Sequence, residues 1–179
     1  MSFIKHANLP DFPVKTAIIG KTDQELLEFV ESFGISVLNT AKNIYIDSAI
    51  SCHADINTLY LGYGKILLDR SQAALADPLK KHGIKVIFAE NHVSGSYPND
   101  CRLNFALLSG KIIGRIDVAD EIIKNMDCFK INVRQGYAKC STCIVNGNAV
   151  ITDDFSIKKA CVENGIDVLL IGTGDIELP

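Results

Sequence analysis

Residues 133–154, VRQGYAKCSTCIVNGNAVITDD, gather Gln135, Tyr137, Lys139, Cys140 and Cys143 just ahead of an apolar run. A thiol beside an ammonium is a nucleophile pattern, because a neighbouring positive charge favours the thiolate. Cys140 is therefore a candidate nucleophile, with Lys139 its electrostatic neighbour and Gln135 a nearby polar contact. The alternative is a cysteine packing as a small hydrophobe, the reading preferred for Cys161 on an apolar helix face. His53 beside Asp55 suits proton transfer near neutrality, or is a loop histidine with a local partner. Asp100 and Asn104 could hold a small cation, although Tyr97-Pro98-Asn99-Asp100 is also an ordinary turn sequence. Cys140 and Cys143 have redox or zinc spacing, but they enter a strand rather than a helix N-terminus. With no second CxxC and no HxxxH, neither a metal nor a cofactor is expected.

The rest of the composition narrows the field. The 179 residues are 47% hydrophobic and 22% charged, enough for one ordinary core and too few to favour two domains. Net charge is -3, with no long like-signed run, so nucleic acid is not an expected partner. No apolar run approaches the ~20 residues of a spanning helix, and residues 1–15 lack the apolar centre of a secretion signal. No membrane association is expected, a cytoplasmic setting is, and the six cysteines read as free thiols.

These groups must be positioned by a repeating chain. Residues 1–13, with Pro10 and Pro13, read as an irregular arm, and 14–179 as one domain. Residues 14–19 read as a strand, and 22–33 as a helix opened by a Thr22/Glu25 capping box, with Leu26, Phe29, Val30 and Phe33 on one face. Gly34-Ile35, Gly83-Ile84 and Gly165-Ile166 each end a helix and open an apolar strand, and Cys128-Phe129 takes the same place without the glycine. The last three helices are each preceded by two strand-like runs: 57–61 with 65–68, 103–107 with 111–113, and 142–145 with 149–152. Turns at Gly64, Gly110 and Asn146-Gly147 join these pairs, with φ > 0 expected at the last. Asp117 and Asp154 read as caps of the third and fourth helices, while Pro78 should kink residues 71–82 or restart a helix there. The unit is thus strand, strand, helix, strand, recurring about every 40 residues.

Such units fit either a doubly wound parallel sheet or a propeller-like ring, and the hairpins favour the ring. No GxGxxG follows a strand, so a nucleotide site is disfavoured. The segments Ser51-Cys52-His53-Ala54-Asp55-Ile56, Tyr97-Pro98-Asn99-Asp100 with Asn104, Gln135-Gly136-Tyr137 through Cys143, and Ile166-Asp167-Val168-Leu169-Leu170-Ile171 resemble an uncharacterised bacterial family of the pentein, or guanidino-group-modifying-enzyme, fold. That resemblance implies an α/β propeller of ββαβ repeats around a pseudo-symmetry axis. About four of its five units are present here, and the open end invites self-association. It also implies a cysteine attacking an amidine or guanidine carbon, a histidine moving protons, and carboxylates gripping a planar cation. Residue by residue, His53, Asp55 and Cys140 take the catalytic roles, and Asp100, Asn104, Lys139 and Gln135 the binding roles. Characterised enzymes of the superfamily generally carry the cysteine in the last unit, which is not in this stretch of chain. The function expected is therefore a cysteine-dependent hydrolase or amidinotransferase on a guanidino or amidine ligand, or a non-catalytic binding protein on the same scaffold.

Overall fold

The computed structural model describes residues 7–10, 12–172 and 174. The first six residues of the expected arm, residue 11 within it, and positions 173 and 175–179 of the domain lie outside the described residues. Among the described residues there are four small sheets. In the first, β1 (Thr16–Ile19) and β2 (Ser36–Asn39) run parallel and are joined by α1 (Gln24–Ser32). The second follows α2 (Ala54–Asn57) and holds β3 (Thr58–Gly62), β4 (Lys65–Leu68) and β5 (Lys85–Phe88), with α3 (Ala76–Lys81) crossing between the last two. The third holds β6 (Ala106–Leu108), β7 (Lys111–Gly114) and β8 (Phe129–Asn132) with α4 (Glu121–Lys124). The fourth holds β9 (Cys143–Asn146), β10 (Ala149–Thr152) and β11 (Asp167–Leu170) with α5 (Phe155–Glu163). In each three-stranded sheet the central strand pairs antiparallel with its hairpin partner and parallel with the strand after the helix. A single continuous sheet is thereby ruled out, and the repeat is the ββαβ unit of a pentein propeller.

Local chemistry moved several boundaries. The cap of α1 is Asp23, whose carboxylate accepts from Leu26 N at 2.8 Å, so the capping box expected from Thr22 is not formed. The cap of α4 is Asp120, not Asp117. Asp117 instead pairs with Arg115 at 3.1 Å, and the helix shrinks to four residues behind a 3-10 turn over Ile116–Val118. Asp154 does cap α5 through Ile157 N at 2.9 Å. Pro78 sits in the first turn of α3, where no intrahelical N–H is missed, and a kinked 3-10 segment at Arg70–Leu75 precedes it. Gly34, Gly83 and Gly165 close their helices at φ of 73°, 75° and 71°. Gly147 is not left-handed: the hairpin closes after Asn146 with a register shift at Ala149/Val150.

The units pack by one rule: the sheet of each unit is covered by the helix region of the next. Ile18 and Leu38 of the first sheet pack against Leu75 and Leu79 of the second unit. Leu59, Leu61 and Leu67 of the second meet Ala119, Ile123 and Met126 of the third. Ala106, Leu108, Ile113 and Ile131 of the third meet Ile157 and Cys161 of the fourth. Strand register makes Cys143, Val145, Ile151 and Leu169 the corresponding positions on the fourth sheet. No helix among the described residues covers them, and Val145 and Leu169 are 51% and 59% exposed. At the other end α1 has no buried residue, with Phe29 and Phe33 62% and 67% exposed. The apolar face read from the sequence exists, but it lies uncovered. No helix among the described residues is long and apolar enough to cross a membrane.

Candidate functional site

Three units deliver one side chain each to a common point. Asp55 stands in α2, next to the hairpin of the second unit; Asn104 lies in the turn leading into β6, and Cys140 in the turn leading into β9. The Cys140 thiol donates to Asp55 Oδ2 at 2.6 Å. Asn104 is fully buried, and its Nδ2 donates to Asp55 O at 3.2 Å, Asp55 Oδ2 at 3.3 Å and Cys140 Sγ at 3.3 Å. Its Oδ1 accepts from Lys139 N at 2.7 Å. The amide thus spends its capacity tying the second and fourth units together, a buried polar group that is costly to leave unpaired. Asn57 occupies the matching position ahead of β3 and does the same one unit earlier. It accepts from Asn43 and donates to the carbonyls of Ser51 and His53. A buried asparagine at the mouth of a hairpin therefore fastens neighbouring loops twice.

Among the described residues Asp55 Oδ1 has no partner, and no Lys, Arg or His forms an ion pair with this half-buried carboxylate. Its neighbours are neutral donors. The sequence places Lys139 beside Cys140, but the sulfur's charged contact in space is Asp55. Burial first, and then the Asp55 charge and hydrogen bond, push the thiol up to about 12, although the residue itself remains exposed. The expected thiolate stabilisation by Lys139 is overturned: a carboxylate at hydrogen-bond distance opposes ionisation. Cys161 is fully buried, and its thiol is pushed up to about 11 by burial alone.

A second cluster lies alongside. Asp100 is buried and accepts from Tyr137 Oη at 2.8 Å and from Cys101 Sγ at 3.2 Å. Burial, reinforced by this carboxylate, holds both the Cys101 thiol and the Tyr137 hydroxyl well above their usual ranges. Gly136 makes the close approach possible, since a Cβ there would stand 2.6 Å from the Tyr97 ring and 2.7 Å from Cys101 Sγ. Gln135 turns away from the thiol: its Nε2 donates to the capping carboxylate Asp154 at 3.1 Å, and its Oε1 accepts from Tyr137 N. The half-buried His53 starts α2 two residues before Asp55, and its ring makes no hydrogen bond among the described residues. Cys101, Tyr97 and Gly136 were not read as site residues. The only sequence signal for them was their place inside the two polar segments that contain Asp100 and Tyr137. No group of three His, Cys, Asp or Glu side chains with metal-holding geometry occurs among the described residues.

The fold is that of a pentein, built of ββαβ units, and here a carboxylate, an amide and a thiol stand at their meeting point. Solved structures share that fold. A dimethylarginine dimethylaminohydrolase adduct with 4-chloro-2-hydroxymethylpyridine superposes with a TM-score of 0.55 at 13% identity, covering 90% of this chain and 67% of that one. A cysteine-to-serine variant of the Pseudomonas aeruginosa dimethylarginine dimethylaminohydrolase, complexed with citrulline, gives 0.53 at 12%, covering 95% and 68%. The amidinotransferase SxtG from Microseira wollei, of the saxitoxin biosynthetic pathway, gives 0.51 at 13%, covering 83% and 55%. This chain therefore spans about half to two thirds of the length of those proteins. The chain belongs to the DUF6873 family, described as a family of unknown function, whose model matches residues 17–179. No curated protein matches it.

Proposed function

We propose that this protein binds a small guanidino or amidino compound at the junction of its units, with Asp55 as the anionic anchor and Cys140 facing the planar carbon. The carrying observation is that Asp55 Oδ1 has no partner among the described residues, beside a carboxylate oxygen that already holds the Cys140 thiol at 2.6 Å. A planar cation matches a carboxylate with paired charge-assisted hydrogen bonds. Binding would also place positive charge against Asp55 and so remove the main electrostatic obstacle to forming the Cys140 thiolate. Attack of that sulfur on the amidine carbon would form a C–S bond, and collapse of the adduct would break a C–N bond, the thiol proton leaving on the departing amine; this is the hydrolase or transferase reading of the site. A purely binding role is the second reading, favoured by a thiol pushed up to about 12 by burial and by Asp55.

Calorimetric titration with methylguanidine and acetamidine tests the anchor. Binding should fall at least tenfold in Asp55→Asn and persist in Cys140→Ala. A mass increase on Cys140 after incubation with an amidine would mark the covalent step, and binding without any adduct or turnover would favour the second reading. Equal affinity in wild type and Asp55→Asn would refute the anchor.

A further inference from the structure

A cavity of about 730 Å³ opens beside Asp55 and Lys139 and runs outward along the seam between the first and second units. Its origin is topological. In the seam between the second and third units, Leu59 and Leu61 of the first hairpin strand fill the space against Leu107 and Ile112. The first unit has two strands among the described residues and places no such side chains opposite Tyr60 and Ile66. The cavity lies there, walled by Ile18, Tyr60, Ile66, Leu79 and Ile84. Phe12, Pro13 and Val14, which lead into β1, also line the cavity. At the far end the Thr16 hydroxyl and His82 Nδ1 lie 3.2 Å apart. One charged carboxylate at the inner end and an apolar wall beyond it make a site of amphipathic character.

We infer that the site selects guanidinium or amidinium ions carrying an alkyl or aryl body, with the cationic head on Asp55 and the apolar body in the seam cavity, rather than ions whose far end is also charged. This rests on the binding reading above and names the ligand class. Apolar surface removed from water gives the selectivity: each buried methylene should tighten binding about fourfold until the cavity is filled. A second charge on the far end would have to be desolvated among Ile66, Leu79 and Ile84, with no carboxylate among them to receive it.

The experiment is a titration of the full chain with n-alkylguanidines from methyl to octyl, with 4-aminobutylguanidine as the doubly charged control. Affinity should climb about fourfold per methylene over the first members, and the control should bind no better than methylguanidine. Ile18→Asn and Ile84→Asn, both at partly exposed positions in the cavity wall, should flatten the series, with folding checked by circular dichroism. Asp55→Asn should weaken every member by the same factor. A flat series with methylguanidine still bound through Asp55 overturns the inference and leaves the anchor standing. Loss of any Asp55 dependence overturns the anchor itself. Equal binding of octanol and octylguanidine would overturn the joint site, since the cavity would then act without the carboxylate.

Discussion

Replacing Asp55 by asparagine isolates the interaction that dominates the site. The substitution keeps the size and planarity of the side chain, retains an oxygen near Cys140 Sγ, and removes one negative charge from hydrogen-bond distance of the sulfur. Like charges at such range shift a titration by about one to three units. Because Cys140 is exposed, solvent screening argues for the lower part of that range, so the thiol should fall from about 12 by roughly one to two units. Burial, the largest cause of the elevation, remains in the variant, which keeps the thiol above its ordinary value. At pH 8 the thiolate fraction then rises about 10- to 100-fold, while the less basic thiolate loses nucleophilicity with a Brønsted slope of about 0.4–0.5. The net expectation is a 3- to 10-fold faster reaction of Cys140 with iodoacetamide, read by peptide mass mapping across pH 7–10, roughly the balance of those two effects. Cys161 should stay unlabelled in both proteins, reporting that the variant remains folded. Labelling of Cys140 at the wild-type rate or slower would show that Asp55 does not govern the thiol.

Asn104→Ala should cost about 2–4 kcal/mol in urea unfolding, because it removes a fully buried amide and orphans half-buried partners on the second and fourth units at once. A loss below ~0.5 kcal/mol would mean the amide is replaceable by water. Alkaline pH should destabilise the protein. The Cys140 and Cys161 thiols are raised in the folded state to about 12 and about 11 from 9.0, so their contribution is complete below pH 9 and is lost as pH rises through those values. The urea midpoint should thus fall between pH 9 and 11, and less steeply in Cys161→Ala; an unchanged slope in the variant would contradict this. Finally, the uncovered faces of α1 and the fourth sheet should drive concentration-dependent association, reduced by Phe29→Glu or Leu169→Glu in sedimentation. A monodisperse wild-type monomer at high concentration would count against it.

The repeat was readable because each unit carries its own punctuation. Gly34, Gly83 and Gly165 sit where a helix must stop in the left-handed region, and the hairpins alternate visibly around Gly64 and Gly110. Caps were less legible where several acceptors compete within a few residues: Asp23 prevailed over Thr22, and Asp120 over Asp117, once Arg115 had claimed the latter. The strand expected at 103–107 begins only at Ala106, since Leu103 and Phe105 are buried in turns ahead of it, and period alone cannot separate a buried turn from a buried strand. For the site, the types of residue were legible and their pairing was not. Lys139 is next to Cys140 along the chain, while Asp55, 85 residues away, is next to it in space. Nothing local in the sequence discloses a contact made only when separate units meet.

The rule that each sheet is covered by the following unit's helix region makes the apolar packing nearest-neighbour, while Asp55, Asn104 and Cys140 add a polar tie between the second and fourth units. Where apolar seams dominate, stability is greatest in a unit with a seam on both sides. Among the described residues the second and third units are in that position, and the first and fourth each show one seam. Amide exchange should therefore be slowest in β4 and β7 and progressively faster toward β1–β2 and β11. Asp55 and Asn104 belong to the second and third units, whereas Cys140 belongs to the fourth, where the faster exchange is expected. The thiol's engagement with its carboxylate is then governed by how often the terminal unit opens, and a ligand bridging Asp55 and Cys140 would slow exchange along the whole of that unit.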